Sequence, residues 1–168
     1  MLSVDRASLH AKAARVEGRL AADDPVWEEA DVKPAGPVLV TGRLSAAGED
    51  RYYFSGHMQG VVETDCRRCL GPASAVVEEE LHLLFAEAGD EDADEADMYL
   101  LDPRARDVDL RPAVREQWLL VAPAFVLCRE DCKGLCPRCG ADLNQGPCDC
   151  EPDPDPRWSA LNALRRDT

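Results

Sequence analysis

The sequence predicts an α+β chain that is mainly β: an antiparallel sheet or open barrel with one or two helices and a C-terminal cysteine-rich zinc module. Three observations predict it. β-Branched and aromatic stretches bounded by Gly and Pro dominate the first half, one amphipathic helical pattern follows an acidic run, and six of the eight cysteines fall between residues 128 and 150. The implied division is a strand-rich body over 1–127, with an acidic loop at 87–109 and a helix at 111–122. Residues 128–168 then hold a cysteine-rich zinc knuckle, a Pro/Asp linker and a short C-terminal helix. A chain of 168 residues is one domain, or a small domain with an appendage, and can bury a real core.

Residues 14–20 (ARVEGRL) alternate as a half-buried strand, and Trp27 in the following connection is expected to pack on the sheet. Residues 37–44 (PVLVTGRL) form a second strand. Residues 51–65 (RYYFSGHMQGVVETD) form a third, with Gly56 and Gly60 expected as bends or bulges. Residues 76–86 (VVEEELHLLFA) continue the sheet, although their glutamates also suit a helix.

Residues 87–97 (EAGDEDADEAD) have almost no apolar content and repel one another, which reads as a solvated, mobile connector or as a lure for a basic partner. Residues 87–109 carry 10 acidic and 2 basic side chains, so more than half of the net charge of -14 sits there. Residues 111–122 suit a helix, with Asp109 to cap it, Pro112 in its first turn and Pro123 ending it. Its apolar positions Val114, Trp118, Leu119 and Val121 read as core. At the end, Asp155, Pro156 and the spacing of Trp158, Leu161 and Leu164 predict an amphipathic helix that docks on its own domain or on a partner.

Several classes are disfavoured. Nonspecific nucleic-acid binding rests on many Lys and Arg, so a net charge of -14 argues against a basic RNA coat while leaving room for a local RNA contact. The N-terminus has no continuous apolar h-region, and the longest nearly apolar run, residues 118–128, is 11 residues long and interrupted by Pro123. We therefore expect no signal peptide, no membrane span and a cytoplasmic protein. His10, His57 and His82 are scattered without a catalytic context and no glycine-rich phosphate loop is present, so no enzyme is expected.

In a reducing compartment clustered thiols favour metal ligation over disulfides. Cys136-x2-Cys139 followed by Gly140 has the form of a zinc knuckle, whose short turn aims both sulfurs at one ion. Cys148 and Cys150 complete one four-sulfur set, but Cys128 or Cys132 lies near enough in sequence to replace one of those four. Upstream, Cys66-x2-Cys69 needs partners from the C-terminal group; pairing it with Cys128 and Cys132 makes two sites of the eight cysteines. One or two structural Zn²⁺ ions are therefore expected, each closed by thiolates with no open position for a substrate. Arg67, Arg68, Lys133 and Arg138 are the cations near these cysteines placed to meet phosphate, against the plainer reading of solvent exposure.

CRRCL at 66–70, the acidic run, a helix ending in an apolar-Pro segment, LCREDCKGLCPRCGADLN at 127–144, the Cys-x-Cys at 148–150 and DPRWSALNAL at 155–164 together resemble the YceD family, over about residues 13–166. The family is also called the large ribosomal RNA subunit accumulation proteins. The resemblance implies a non-enzymatic bacterial ribosome-biogenesis protein needed for accumulation of the large-subunit ribosomal RNA, beside a gene for a small large-subunit ribosomal protein. The acidity adds that such a protein suits a basic ribosomal protein or an assembly factor better than bare RNA, with precursor ribosomal RNA met directly or through that partner. Two other readings compete: a thiol redox protein that releases zinc on oxidation, and a zinc-ribbon RNA binder acting alone.

Overall fold

The computed structural model describes residues 1–48, 50–87, 98–150 and 157. The strands expected at 14–20 and 51–65 form with those limits, as β2 (Ala14–Leu20) and β4 (Arg51–Asp65). Between them β3 (Val38–Gly48) runs longer than expected, and β5 (Pro72–Glu87) resolves the helix-or-strand competition as a strand. Val77, Leu81, Leu83 and Phe85 fall on alternate positions and are buried, while Val76, Glu78, Glu80 and His82 between them are exposed, so the period-two pattern outweighs the helix propensity of the glutamates.

Strands β2 to β5 form an antiparallel meander, and β6 (Met98–Leu101) joins β5 in parallel to complete a five-stranded sheet ordered β2-β3-β4-β5-β6. With β2 and β6 as its two edges, the sheet stays open instead of closing into a barrel. A second, two-stranded sheet pairs β1 (Ser3–Asp5) with β7 (Asp107–Asp109), and the one-turn helix α1 (Arg6–Leu9) follows β1. Residues 87–109 are thus not loop throughout, since Glu87 ends β5 while β6 and β7 lie inside the range. Of the mobile connector expected at 87–97, residues 88–97 lie outside the described residues, as do the linker at 151–156 and, apart from Arg157, the helix expected at 157–166.

Helix α2 (Arg111–Val121) covers one face of the sheet. Leu110 is its N-cap, but Asp109 still supplies a carboxylate that accepts the Arg111 backbone N–H at 3.0 Å. Val114 and Trp118 are fully buried, whereas Leu119 and Val121 are only partly so. Trp27, in a 3-10 turn (Pro25–Trp27), meets Trp118 edge-on with ring centroids 6.1 Å apart. Both indoles are satisfied: Trp27 Nε1 donates to the Ala21 carbonyl at 2.8 Å and Trp118 Nε1 to that of Val32 at 3.1 Å.

Gly56 and Gly60 are not bulges, because the β4–β5 register runs unbroken from Arg51↔Ala86 to Asp65↔Pro72. They mark close approach. A methyl group on Gly60 would sit 2.6 Å from Trp118 Cζ3, and one on Gly56, paired across strands with Gly42, would sit 2.6 Å from the Phe54 ring. The irregularity in the β3–β4 register falls instead between Ala46 and Gly48.

Candidate metal centres

Both clusters are assembled by turns at the end of the sheet where β4 meets β5. The Cys66 N–H donates to the Gly71 carbonyl at 2.7 Å, the Leu70 N–H to the Cys66 carbonyl at 2.9 Å, and Leu70 takes a positive φ of 57°. This tight return makes the CxxC the hairpin connection and turns the Cys66 and Cys69 sulfurs toward one point. The chain beyond α2 then comes back to it. The Arg67 N–H donates to the Val126 carbonyl at 2.9 Å, and the Leu135 N–H to that of Arg68 at 3.0 Å. Arg68 Nη1 donates to the Cys132 carbonyl at 2.8 Å.

Of the groupings left open by spacing, two form: Cys66, Cys69, Cys128 and Cys132 in one, and Cys136, Cys139, Cys148 and Cys150 in the other. Within each, all four sulfurs lie within 4.8 Å of one another. In the first, Cys66 and Cys132 are 3.8 Å apart and Cys69 and Cys128 3.7 Å apart. A tetrahedral ion with Zn–S bonds of ~2.3 Å needs sulfur–sulfur edges of about 3.8 Å, so the donor set and its spacing fit such an ion. Either cluster could hold a metal ion.

The second cluster is built by the knuckle. The Gly140 N–H donates to the Cys136 carbonyl at 2.9 Å with Gly140 at φ 73°, and Leu135 bridges Asp142. Asn144, which sequence reasoning passed over, sits beside the first cluster although it belongs to the loop between Cys139 and Cys148. Its Oδ1 accepts the Lys133 N–H and Arg129 Nη2, each at 2.8 Å, while its Nδ2 donates to Asp142 Oδ1 at 2.7 Å and approaches Cys132 Sγ at 3.6 Å. An amide donating to a ligand sulfur is a familiar outer-shell device. The run Asp142-Leu143-Asn144, separated from the Cys139 end of the knuckle by Gly140 and Ala141, was the available signal.

Each cluster favours one thiolate and resists further ones. Backbone N–H groups of Cys128 and Cys69 bring Cys66 down to about 6, and those of Cys139 and Arg138 bring Cys136 down to about 6. Burial and the sulfurs of Cys132 and Cys69 push Cys128 up to about 12; Cys139 and burial do the same to Cys150. Four thiolates at contact distance need added positive charge, which a divalent cation supplies.

The cations near the cysteines are partly committed. Arg68 holds the returning chain, and the Arg67 guanidinium stacks 4.3 Å from the Phe125 ring centroid. His10, His57 and His82 are exposed, as expected of surface histidines, and Tyr53 Oη bonds His82 Nδ1 at 2.8 Å. Among the described residues no helix is long and apolar enough to cross a membrane.

Residues 54–165 match the family described as Large ribosomal RNA subunit accumulation protein YceD. An uncharacterized protein of Mycobacterium tuberculosis is 35% identical over 100 residues, covering 58% of this chain and 47% of its own length. The maize protein named large ribosomal RNA subunit accumulation protein YCED homolog 1, chloroplastic, is 28% identical over 149 residues, 71% of this chain and 50% of its own. The Arabidopsis thaliana protein of the same name is 33% identical over 64 residues, 38% of this chain and 20% of its own. The chain spans about half the length, or less, of these curated relatives. No solved structure matches significantly.

Proposed function

The chain belongs to the YceD family of large ribosomal RNA subunit accumulation proteins, and on that premise we propose that it is a non-enzymatic ribosome-biogenesis factor supporting accumulation of the large-subunit ribosomal RNA. It acts as an adaptor or chaperone for a basic large-subunit ribosomal protein. The observation that carries the adaptor role is the concentration of charge, 10 acidic against 2 basic residues over 87–109 in a chain of net charge -14. Such a field attracts a basic partner and repels bare phosphate. Glu87, where this stretch leaves the sheet, is ion-paired with Arg6, so the acidic run starts from a fixed point.

In this reading both cysteine clusters hold structural Zn²⁺, through Cys66, Cys69, Cys128 and Cys132 and through Cys136, Cys139, Cys148 and Cys150. The ions supply charge compensation and cross-linking, and four protein ligands apiece leave no position for a substrate. Residues 1–127 serve as the body and 128–168 as the cysteine-rich module; the first cluster draws two ligands from each and staples them together. Reduced thiols suit the cytoplasm.

The test is capture of purified large-subunit ribosomal proteins by the full chain at moderate salt. A small basic protein should be enriched, and deleting residues 88–97 should abolish the enrichment. Capture of RNA but no ribosomal protein by the intact chain, or capture indifferent to the deletion, overturns the proposal. A zinc-releasing redox switch would instead lose metal in mild peroxide, where this reading predicts retention.

A further inference from the structure

Among the described residues nothing covers the face of the five-stranded sheet opposite Trp118, where the side chains of β2 to β5 that alternate with the buried ones are exposed or half-buried. One row of register partners across it reads Arg15–Arg43–Ser55–His82. It contains no carboxylate, in a chain of net charge -14. Tyr53, two positions before Ser55 on the same strand, lies side by side with His82, with centroids 6.2 Å apart, planes 13° from parallel and its Oη 2.8 Å from His82 Nδ1. Arg15 and Arg43 face each other directly, an arrangement that costs stability on an antiparallel pair. The ion pair that Arg15 makes with Glu17, at 3.3 Å, is exposed on both sides and offsets little of this.

We infer that this row, with Tyr53, binds single-stranded RNA. The juxtaposed guanidinium groups meet phosphates that would relieve their repulsion. The nearly coplanar Tyr53–His82 pair offers a flat surface for a base, and Ser55, between Arg43 and His82 in the row, offers a hydroxyl to a base edge or a 2′-OH. Four strands spaced ~4.8 Å apart span roughly 14 Å, so the strip takes a short run of nucleotides. A duplex is disfavoured, because its recognition spreads phosphate contacts over about 16 base pairs. Glu17 and Glu80 close the neighbouring row at both ends and confine the strand to the basic one. The adaptor thereby gains separate surfaces for its two partners, acidic for the protein and basic-aromatic for the RNA. This inference rests on the adaptor reading only for which RNA is met in the cell.

The experiment is fluorescence anisotropy of the full metal-loaded chain with a labelled 12-nucleotide oligouridine, and with an RNA hairpin duplex, at several salt concentrations. The single strand should bind better than the duplex, with a slope of log K against log salt near about -1.4 for two phosphates. Arg15→Glu with Arg43→Glu should weaken binding roughly tenfold or more, and Tyr53→Ala roughly fivefold or more. Arg104→Glu with Arg106→Glu, exposed residues outside the row, changes the net charge equally and should preserve binding. Circular dichroism confirms that each variant is folded, and Arg15→Gln with Arg43→Gln provides a milder pair. Absence of oligouridine binding at 100 μM protein, unchanged binding by the row variants, or equal loss in the control pair overturns the inference. No ribosomal protein is present in this experiment, so its failure leaves the capture test of the acidic segment standing.

Discussion

The sulfurs of Cys66 and Cys132 lie 3.8 Å apart although 66 residues separate them in sequence. Both are buried, Cys66 in the β4–β5 connection and Cys132 in the chain that returns after α2. Holding them together closes a long loop across the sheet and α2, the kind of closure that restricts the unfolded chain most.

The packing of α2 on β4 depends on an absent side chain. A Cβ at Gly60 would meet Trp118 Cζ3 at 2.6 Å and Val38 Cγ2 at 3.3 Å, and Trp118 is fully buried. Gly60→Ala should therefore cost about 1–3 kcal/mol through overpacking, read from urea unfolding followed by tryptophan fluorescence. A change below about 0.5 kcal/mol would mean that Trp118 shifts freely.

Arg6 ties the N-terminal segment to the root of the acidic stretch. Its guanidinium donates to Tyr52 Oη and to the Ala105 carbonyl, each at 3.1 Å, and pairs with Asp50 and Glu87. The hydrogen bonds it donates to Tyr52 and Glu87 raise its pKa further, so it stays charged throughout the accessible range. With the side chain only 12% exposed, Arg6→Ala should cost about 2 kcal/mol in the same unfolding measurement. Arg6→Lys should recover less than half, because an ammonium cannot reproduce the fork. Full recovery by Lys would reduce the network to simple charge attraction.

Much of this architecture is legible in the sequence, and the exceptions have physical reasons. β2 and β4 follow from alternation and β-branched content. Strands β1, β6 and β7 span three or four residues, too short for a period to register. The parallel β5–β6 pairing leaves no local trace, as it is decided by contacts across the sheet. Gly56 and Gly60 look like bulges because glycine signals both backbone freedom and missing bulk; only the positions of Phe54 and Trp118 distinguish the two. The eight cysteines are evident, but their grouping depends on where the chain after α2 returns, which spacing does not encode.

Asp109 makes stability depend on pH in a defined direction. Burial favours its neutral form, but hydrogen bonds from the Arg111 side chain and backbone outweigh this and hold the carboxyl below its usual range. Its contribution is full above the unfolded value of about 3.9 and fades as the pH falls through the lower folded value. With side chains 35% and 47% exposed, screening limits the pair to under about 1 kcal/mol. The stability difference between wild type and Asp109→Asn should be constant from pH 8 to about 5 and shrink toward pH 3. A difference that stays constant to pH 3 would contradict the assignment.

Asn144 should tune the first cluster without supplying a ligand. Asn144→Asp keeps the oxygen that accepts from Lys133 and Arg129 but replaces the N–H directed at Cys132 Sγ and Asp142 Oδ1 by an oxygen that repels both. Competition with a chelator should show zinc held about 10- to 100-fold more weakly in one site while the second is unchanged. Equal weakening of both sites would assign Asn144 a general role in folding.

The proposal that the two cysteine clusters are separate metal centres is tested most directly by native mass spectrometry of the full chain, with elemental analysis to identify the metal. Wild type should carry two zinc ions, and Cys66→Ser and Cys136→Ser should each carry one, since the two clusters share no ligand. A single ion in the wild type, or loss of both ions from either variant, would contradict the account.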